Sequence, residues 1–417
     1  AVQPKLLVVA DTLGALHRLA AAVRKRWGGP LVAITGSTGK TTTKQMIAAL
    51  LGTRFRVLEN EGNFNNQFGL PLSLLRLQPE SEVGVFELGM SATGEIRQLA
   101  ELARPDVGVV TNVSTVHLEF FPDVEAIARA KFELIETLRS GAWAVLNADD
   151  ARVAGFGRQQ GVRVLYFGTG PAAHFRAENV MPDERGASLF TLLCKAFQAL
   201  TLGAAWDGRI PLELPGGPQP QELEFRLPLL GRHNVLNALA ALGVCYLFGI
   251  PPCCLREAVA QLRPAAMRGE LVRLANGAMV LNDCYNSSPA ALEAALQTLA
   301  SLPARRRLAV LGGMLELGPT SGQLHARSGE QVAQLKFDVL LTVGDPARAF
   351  AAGAKAAGMS EQALIHCDTA EEAGERLRQL LQAGDVALLK ASRAVHLEKV
   401  WEALGEMVAA SPAAARQ

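Results

Sequence analysis

The sequence predicts an α/β protein, and three observations predict it. The apolar run Leu31-Val32-Ala33-Ile34 leads directly into Thr35-Gly36-Ser37-Thr38-Gly39-Lys40-Thr41-Thr42 and then a helical run to Leu51. From residue 30 onward strand-like runs alternate with helix-like runs, the pattern of a parallel sheet covered on both faces. A second alternating block begins near residue 278. Together they give a P-loop central domain on a mainly parallel sheet with a small β insertion, followed by a Rossmann-like C-terminal α/β domain.

Residues 1–29 hold a short strand from Lys5 to Ala10 and a helix from Thr12 to Trp27, too little for a domain and read as a linker. The central domain spans 30–272. Its strands are expected at 31–35, 84–88, 107–112, 142–147 and 162–167, separated by helices near 40–51, 69–77, 94–103, 123–139 and 150–158. Residues 174–230 are rich in Gly and Pro with short alternating runs such as Glu222 to Leu227, hence the β insertion. Helices return at 233–248 and 252–262. The C-terminal domain spans 273–417, with strands at 278–282, 307–311, 338–343, 364–367 and 385–390. Its helices fall near 288–301, 321–335, 346–357, 370–383 and 394–409. Gly168-Thr169-Gly170-Pro171 imitates a dinucleotide fingerprint, but Pro171 and the lack of a following helix pattern argue against one.

The loop after the first strand has the composition of a phosphate cradle. Backbone N–H groups of such a loop, and of the helix it opens, point at phosphate oxygens. Lys40 can reach the terminal phosphates and the Thr41 hydroxyl can ligate Mg²⁺. Gly36 and Gly39 leave the room that close phosphate approach needs. Ile34 stands where the strict Walker pattern has glycine, so the match is the shorter G-x-x-G-K-T form.

The bulk numbers exclude several classes. A chain of 417 residues holds two or three domains, and 49% apolar residues supply large cores. Balanced charge, 41 basic against 40 acidic residues, argues against nucleic-acid binding through a basic face. The six cysteines, Cys194, Cys245, Cys253, Cys254, Cys284 and Cys367, show no C-x-x-C spacing. Adjacent Cys253 and Cys254 read as two buried thiols, and the set implies a reducing, cytoplasmic setting without structural zinc. The most hydrophobic stretch, Val235 to Ile250, carries Asn237 and falls short of the roughly 18 residues of a membrane span. No signal peptide is recognisable. Ala1 in place of Met fits a trimmed or partial chain.

Other residues stand at strand ends, where open α/β sheets bind ligands. Glu87 ends the run Val83 to Phe86 and is placed to bind the Mg²⁺ of MgATP. His117 follows the polar turn Thr111 to Thr115; a lone histidine is more often a satisfied polar residue, so spacing leaves it open. Lys131 sits on a helix, where the ordinary reading is a solvated face. Asn63, Asn65 and Asn66 crowd one turn, and turn chemistry explains only one or two of them. Asn147 precedes Asp149 and Asp150, either of which can cap the next helix. Arg268 lies between the two blocks, as an ion-pair partner or as a cation for a γ-phosphate.

These pieces, in this order, resemble the ATP-dependent Mur ligases of peptidoglycan synthesis, over about residues 7–405. The loop Gly36, Ser37, Thr38, Gly39, Lys40, Thr41 and Thr42 is similar to the family's ATP loop. Glu87 in Glu87-Leu88-Gly89 and His117 in Asn112 to Glu119 fall at its metal-binding positions. Lys131 in Ala130-Lys131 falls where the family carries a carbamylated lysine that serves a second Mg²⁺. The stretch Gly231 to Ala238 resembles the segment whose second asparagine, here Asn237, contacts adenine. Asn147 belongs to the same nucleotide set. Arg268 matches a linker arginine on ATP phosphate, and Asp283 an aspartate on the ribose. Lys390, Ser392 and Arg393 in Lys390-Ala391-Ser392-Arg393 resemble an element near the acceptor, with Tyr285 and Asn286 beside it.

The resemblance implies ATP-driven amide-bond formation through an acyl phosphate, with Lys40, His117, Lys131 and Arg268 in the catalytic set. The asparagine turn at Glu61–Asn66 and the Lys390–Arg393 element point to the branch that joins D-Ala-D-Ala to UDP-MurNAc-tripeptide. A related Mur, folylpolyglutamate or cyanophycin-type ligase with another acceptor stays open, as does an ATP-binding subunit without its own activity. Two ions of Mg²⁺ and a monomer are implied. The family's N-terminal UDP-sugar domain is expected to be missing, so that a separate domain or partner chain would supply it. Gly313 stands where this branch usually has aspartate, and Ala391 where it has glycine.

Overall fold

The computed structural model describes residues 8–116, 118–159, 161–183, 186–194 and 221–405. His117, the first residues of the expected strand at 5–10, the middle of the β insertion and the end of the last expected helix lie outside them.

The first unit opens with helix α1 (Thr12–Trp27), then β1 (Leu31–Thr35), α2 (Lys40–Leu51), β2 (Val57–Glu59), α3 (Gly69–Leu74), β3 (Val83–Glu87), α4 (Glu95–Ala103) and β4 (Val107–Val110). It continues with α5 (Val124–Glu136), β5 (Trp143–Asn147), α6 (Ala151–Gly155), β6 (Arg163–Gly168), β7 (Phe175–Pro182), β8 (Ser188–Cys194), β9 (Gln221–Leu227), α7 (Arg232–Leu247) and α8 (Arg256–Ala260). The nine strands form one sheet in the order β2-β3-β1-β4-β5-β6-β7-β8-β9. Pairings from β2 to β7 are parallel; β7–β8 and β8–β9 are antiparallel. The stretch read as a separate insertion is therefore an antiparallel extension of the main sheet. Strand pairing is non-local, and the alternation at 222–227 does not reveal its partner.

Successive side chains of a strand face opposite ways, and β1 shows the outcome. Val32 and Ile34 pack with Met46, Ile47, Leu50 and Leu51 of α2 and with the apolar body of α7. Leu31 and Ala33 pack on the other face with Leu70, Leu74, Ile96, Leu99, Ile127 and Leu134. Leu50 and Leu51 are fully buried, each worth about 2 kcal/mol. The apolar stretch at 235–250 is thus a core helix, and no helix among the described residues is long and apolar enough to cross a membrane.

The amino-terminal rim of this sheet is pinned by Asp106, which is 2% exposed. Its carboxylate accepts from Leu31 N at 2.9 Å and from Arg139 at 2.5 Å, and Arg24 of α1 lies 3.7 Å away. Its backbone bonds both neighbours, N–H to Leu31 O at 2.8 Å and C=O from Trp143 N at 3.0 Å. Arg24 also donates to Ala103 O at 2.6 Å and Arg104 O at 3.0 Å, so α1 is fastened to the body of the unit.

The second unit runs β10 (Glu270–Arg273), β11 (Met279–Asn282), α9 (Pro289–Ala300), β12 (Arg307–Gly312), α10 (Ser321–Gln334), β13 (Val339–Val343), α11 (Arg348–Ala356), β14 (Leu364–Cys367), α12 (Ala370–Leu380), β15 (Val386–Lys390) and α13 (Glu398–Ala403). Its sheet order is β10-β11-β15-β12-β13-β14, parallel except for the edge pair β10–β11. The sheet begins at Glu270, three residues ahead of the boundary expected at 273. Helix α9 starts where Ser288 accepts from Ala291 N at 3.4 Å and Pro289 takes the first position, where its missing N–H is no loss. Cys253 and Cys254, expected to be buried, are exposed on the short 3₁₀ turn before α8.

Candidate active site

Strands β3 and β4 flank β1 on opposite sides, so the order in which strands join the sheet reverses at β1 and a crevice opens at its carboxyl end. The loop at 36–39 fills that end. Gly36 has φ +150°, and a Cβ there would lie 1.9 Å from Thr111 Oγ1. Gly39, at φ +79°, caps α2, where a Cβ would come within 2.5 Å of Asn237 Oδ1. Asn112 braces the loop, accepting from Thr38 N at 3.0 Å, while its carbonyl accepts from Ser37 N at 2.9 Å. Lys40 Nζ turns back to Gly36 O at 2.8 Å and Ser37 O at 3.3 Å. Burial pushes its ammonium down; Glu87 opposes that shift and Arg268 adds to it.

Beside the loop lies an oxygen-rich corner. Thr41 Oγ1 donates to Glu87 Oε2 at 2.7 Å and Asn65 Nδ2 to Glu87 Oε1 at 2.8 Å. Glu87 is 3% exposed. Its backbone is clamped by Asn60, whose Oδ1 accepts from Glu87 N at 3.0 Å and whose Nδ2 donates to Glu87 O at 3.2 Å. Asn60 O in turn accepts from the buried Lys44, which pairs with Glu59 at 3.1 Å. Asn66 Oδ1 accepts from Phe68 N at 3.1 Å and Gly69 N at 2.9 Å and so opens α3. A hydroxyl beside a carboxylate is a hard donor set, and it suits Mg²⁺.

Lys131 is 1% exposed and has no hydrogen bond or ion pair among the described residues. Burial pushes its ammonium well below the ordinary range, and the Lys40 charge adds to the effect. It is not the solvated lysine that helix position alone suggests.

The nucleotide set is spread over both units. Asn147 Nδ2 donates to Thr111 O at 2.8 Å and its Oδ1 accepts from Asp149 N at 2.9 Å. Asp150 caps α6, while Asp149 holds the 169–170 turn through Thr169 N at 2.9 Å and Gly170 N at 3.0 Å. Asn237 accepts from Thr43 Oγ1 at 3.2 Å under the loop. Across the crevice, Lys390 Nζ is paired with the Asp283 carboxylate and donates to Asn286 O at 3.2 Å. Ser392 Oγ accepts from Leu315 N at 2.9 Å. The Arg268 guanidinium lies over the Tyr285 ring, 3.9 Å from its centroid.

All this encloses a cavity of about 760 Å³ lined by both units. Every described residue expected in the site lines it except Gly36 and Lys131. It also takes in residues that sequence reasoning missed: Asn112, His233, Asn234 and Glu316. Although exposed to the cavity, the His233 imidazole is pushed down by desolvation, against the pull of Asp283. Glu316 stands in left-handed backbone at φ +60°, and its carbonyl accepts from Glu119 N at 3.2 Å, one of the contacts joining the units. A non-glycine residue at such a φ was the one conformational signal there, and it is invisible in sequence.

Comparison with known proteins agrees with this geometry. Residues 34–245 match the Mur ligase middle domain, and residues 267–393 match a domain described as "Mur ligase, glutamate ligase domain". A UDP-N-acetylmuramoyl-tripeptide–D-alanyl-D-alanine ligase of Bacillus subtilis is 34% identical over 396 residues, covering 95% of this chain and 80% of the relative. MurF from Acinetobacter baumannii superposes with a TM-score of 0.82 at 29% identity, covering 96% of this chain and 82% of that one. MurF from Thermotoga maritima, solved in complex with ADP, gives a TM-score of 0.82 at 27% identity, covering 98% and 86%. The chain belongs to the Mur ligase family.

Proposed function

We propose that this chain is an ATP-dependent, ADP-forming ligase that joins D-Ala-D-Ala to UDP-MurNAc-tripeptide in peptidoglycan precursor synthesis. The observation that carries it is one cavity in which the Lys40–Thr41–Glu87 corner of the first unit faces Arg268 of the linker and Asp283 and Lys390 of the second unit. The relatives that match nearly the whole chain bear that activity in their names.

Reaction begins when the tripeptide carboxylate attacks the γ-phosphorus of ATP. The bond from that phosphorus to the β-bridging oxygen breaks, and ADP and an acyl phosphate result. Lys40 and Arg268 neutralise the charge spread over the transferring phosphoryl group. Thr41 and Glu87 would hold one Mg²⁺, with His117 and Lys131 at a second; bound Mg²⁺ supplies charge neutralisation on the phosphate oxygens. The D-Ala-D-Ala amine then attacks the acyl carbon, phosphate leaves, and the amine loses its proton. Asn63, Asn65 and Asn66 on one side, and Asn286, Ser392 and Arg393 on the other, would position the two substrates. Asn147, Asn237 and Asp283 would hold the nucleoside.

Lys131 fits a carbamate. Carbamylation needs a neutral amine, and burial supplies it by pushing the ammonium down. Addition of CO₂ forms an N–C bond with loss of one proton and turns the side chain into an anion able to take a hard cation. The two domains meet at residues 270–273, where the second sheet begins, with a leading segment 1–29, and the working form is a cytoplasmic monomer.

The test is phosphate release from ATP with UDP-MurNAc-tripeptide and D-Ala-D-Ala added singly and together. Release that needs all three supports the reading. Release with another amine in place of D-Ala-D-Ala overturns the acceptor, and ATP binding without turnover in any mixture overturns the ligase.

A further inference from the structure

We infer that Tyr285 is a positioning residue for Arg268: its ring is the platform that aims the linker guanidinium at the loop, and its hydroxyl takes no part. This rests on the reading that Arg268 meets the terminal phosphate, and it gives Tyr285 a different role from the substrate contact expected of it.

Arg268 leaves the linker on a tight turn. Met267 and Gly269 on either side have φ of +60° and +71°, and Arg268 N donates to Ala265 O at 3.0 Å. The second unit grips that turn from two directions. Tyr285 N donates to Met267 O at 3.1 Å, and Arg393 Nη1 lies 3.7 Å from Met267 Sδ. The guanidinium then lies against the Tyr285 ring at 3.9 Å, with Arg393 at 5.9 Å from the same centroid.

Among the described residues no carboxylate pairs with the Arg268 side chain, so the ring is what holds it. An arginine side chain held by nothing samples many rotamers, and stacking on an aromatic face removes most of that freedom while leaving the N–H groups at the edge free to donate. The Tyr285 hydroxyl makes no hydrogen bond among the described residues, consistent with a role for the ring alone. The platform stands in the turn that follows β11, in the second unit. The aim of Arg268 therefore depends on the second unit being docked, which joins phosphate recognition to assembly of the cavity.

Isothermal titration with Mg²⁺ and either AMP-PNP or ADP reads the effect as the ratio of the two affinities, which isolates the γ-phosphate. Wild type is expected to favour AMP-PNP by ~10-fold, the scale of one charge-assisted contact. Arg268→Ala and Tyr285→Leu should both lower the ratio, and by about the same factor, Tyr285→Phe should keep it, and the double variant should match Arg268→Ala alone. A ratio near one in wild type, or one unchanged in Arg268→Ala, sinks the phosphate reading of Arg268. A ratio lost in Arg268→Ala but kept in Tyr285→Leu overturns the platform alone. Loss in Tyr285→Phe equal to that in Tyr285→Leu assigns the role to the hydroxyl and also overturns it. Tyr285 is half-buried, and Tyr285→Phe keeps its volume, so folding does not obscure the comparison.

Discussion

Replacing Lys131 by Met should make the protein more stable and inactive, and the stability gain should shrink as pH rises. Lys131 as a residue is 1% exposed, and its amine makes no hydrogen bond among the described residues. Leaving a buried donor unmade costs about 1–3 kcal/mol. Met keeps the unbranched shape and removes that cost, so a gain of about 2 kcal/mol follows, or roughly 4–8 °C in the unfolding midpoint. The pH dependence has a definite sign. Burial lowers the folded-state pKa of Lys131 from the ordinary 10.5, so between the folded value and 10.5 the unfolded chain binds the extra proton. Wild-type stability therefore rises with pH through that window, by up to about 1.4 kcal/mol per unit, and the part of the lysine penalty that comes from its charge is gone above it. Denaturant melts of both proteins at several pH values, in CO₂-free buffer with EDTA, measure the gap. It should be widest at low pH and narrow toward 10.5. Added bicarbonate should stabilise wild type and leave Lys131→Met unchanged. A variant less stable than wild type, or a gap that does not narrow with pH, refutes the reasoning.

Three further outcomes are expected. Glu87→Gln removes an anion that Thr41 and Asn65 hold at 2.7 and 2.8 Å; Mn²⁺ affinity, read by electron paramagnetic resonance with ADP present, should fall ~10-fold or more. Equal affinity would take Glu87 out of the metal site. Arg24→Met strips the Ala103 and Arg104 carbonyls of their donor and should cost about 2 kcal/mol in a chemical denaturation curve, with nucleotide affinity unchanged. A thiol reagent should modify exposed Cys253 and Cys254 long before buried Cys245 and Cys284, whose thiols burial pushes up, Cys284 to about 12. Peptide mass mapping over time reads the order.

What was legible in the sequence was local. The loop at 36–42 announces itself because its conformation is dictated by its own glycines and the strand before it. Glu87 was legible because a carboxylate closing an apolar run stands at a strand end. Periodicity cannot place what depends on distant partners. Asn60 looks like an ordinary turn residue until β3 is seen bonding to both ends of its amide. Lys44 lies in a helix between polar residues, and only tertiary contact with Glu59 and Asn60 explains its burial. Strands β7 to β9 read as an insertion because nothing in 174–230 says which edge they join. Burial of Lys131 was equally hidden, since a single lysine on a helix carries no mark of the face it occupies.

The pinning of the first sheet by Asp106 has a consequence for how such a protein can change. The carboxylate ties β1, β4 and α1 at the amino-terminal rim, whereas the loop, Glu87 and Asn147 all stand at the opposite rim. Cohesion and chemistry occupy opposite ends of the same strands. Loops on the reactive rim can therefore drift toward new acceptors without loosening the scaffold, and the scaffold can be hardened for heat or solvent without touching selectivity. A designer seeking a ligase with altered specificity should leave Arg24, Asp106 and Arg139 intact and spend every substitution at the far rim.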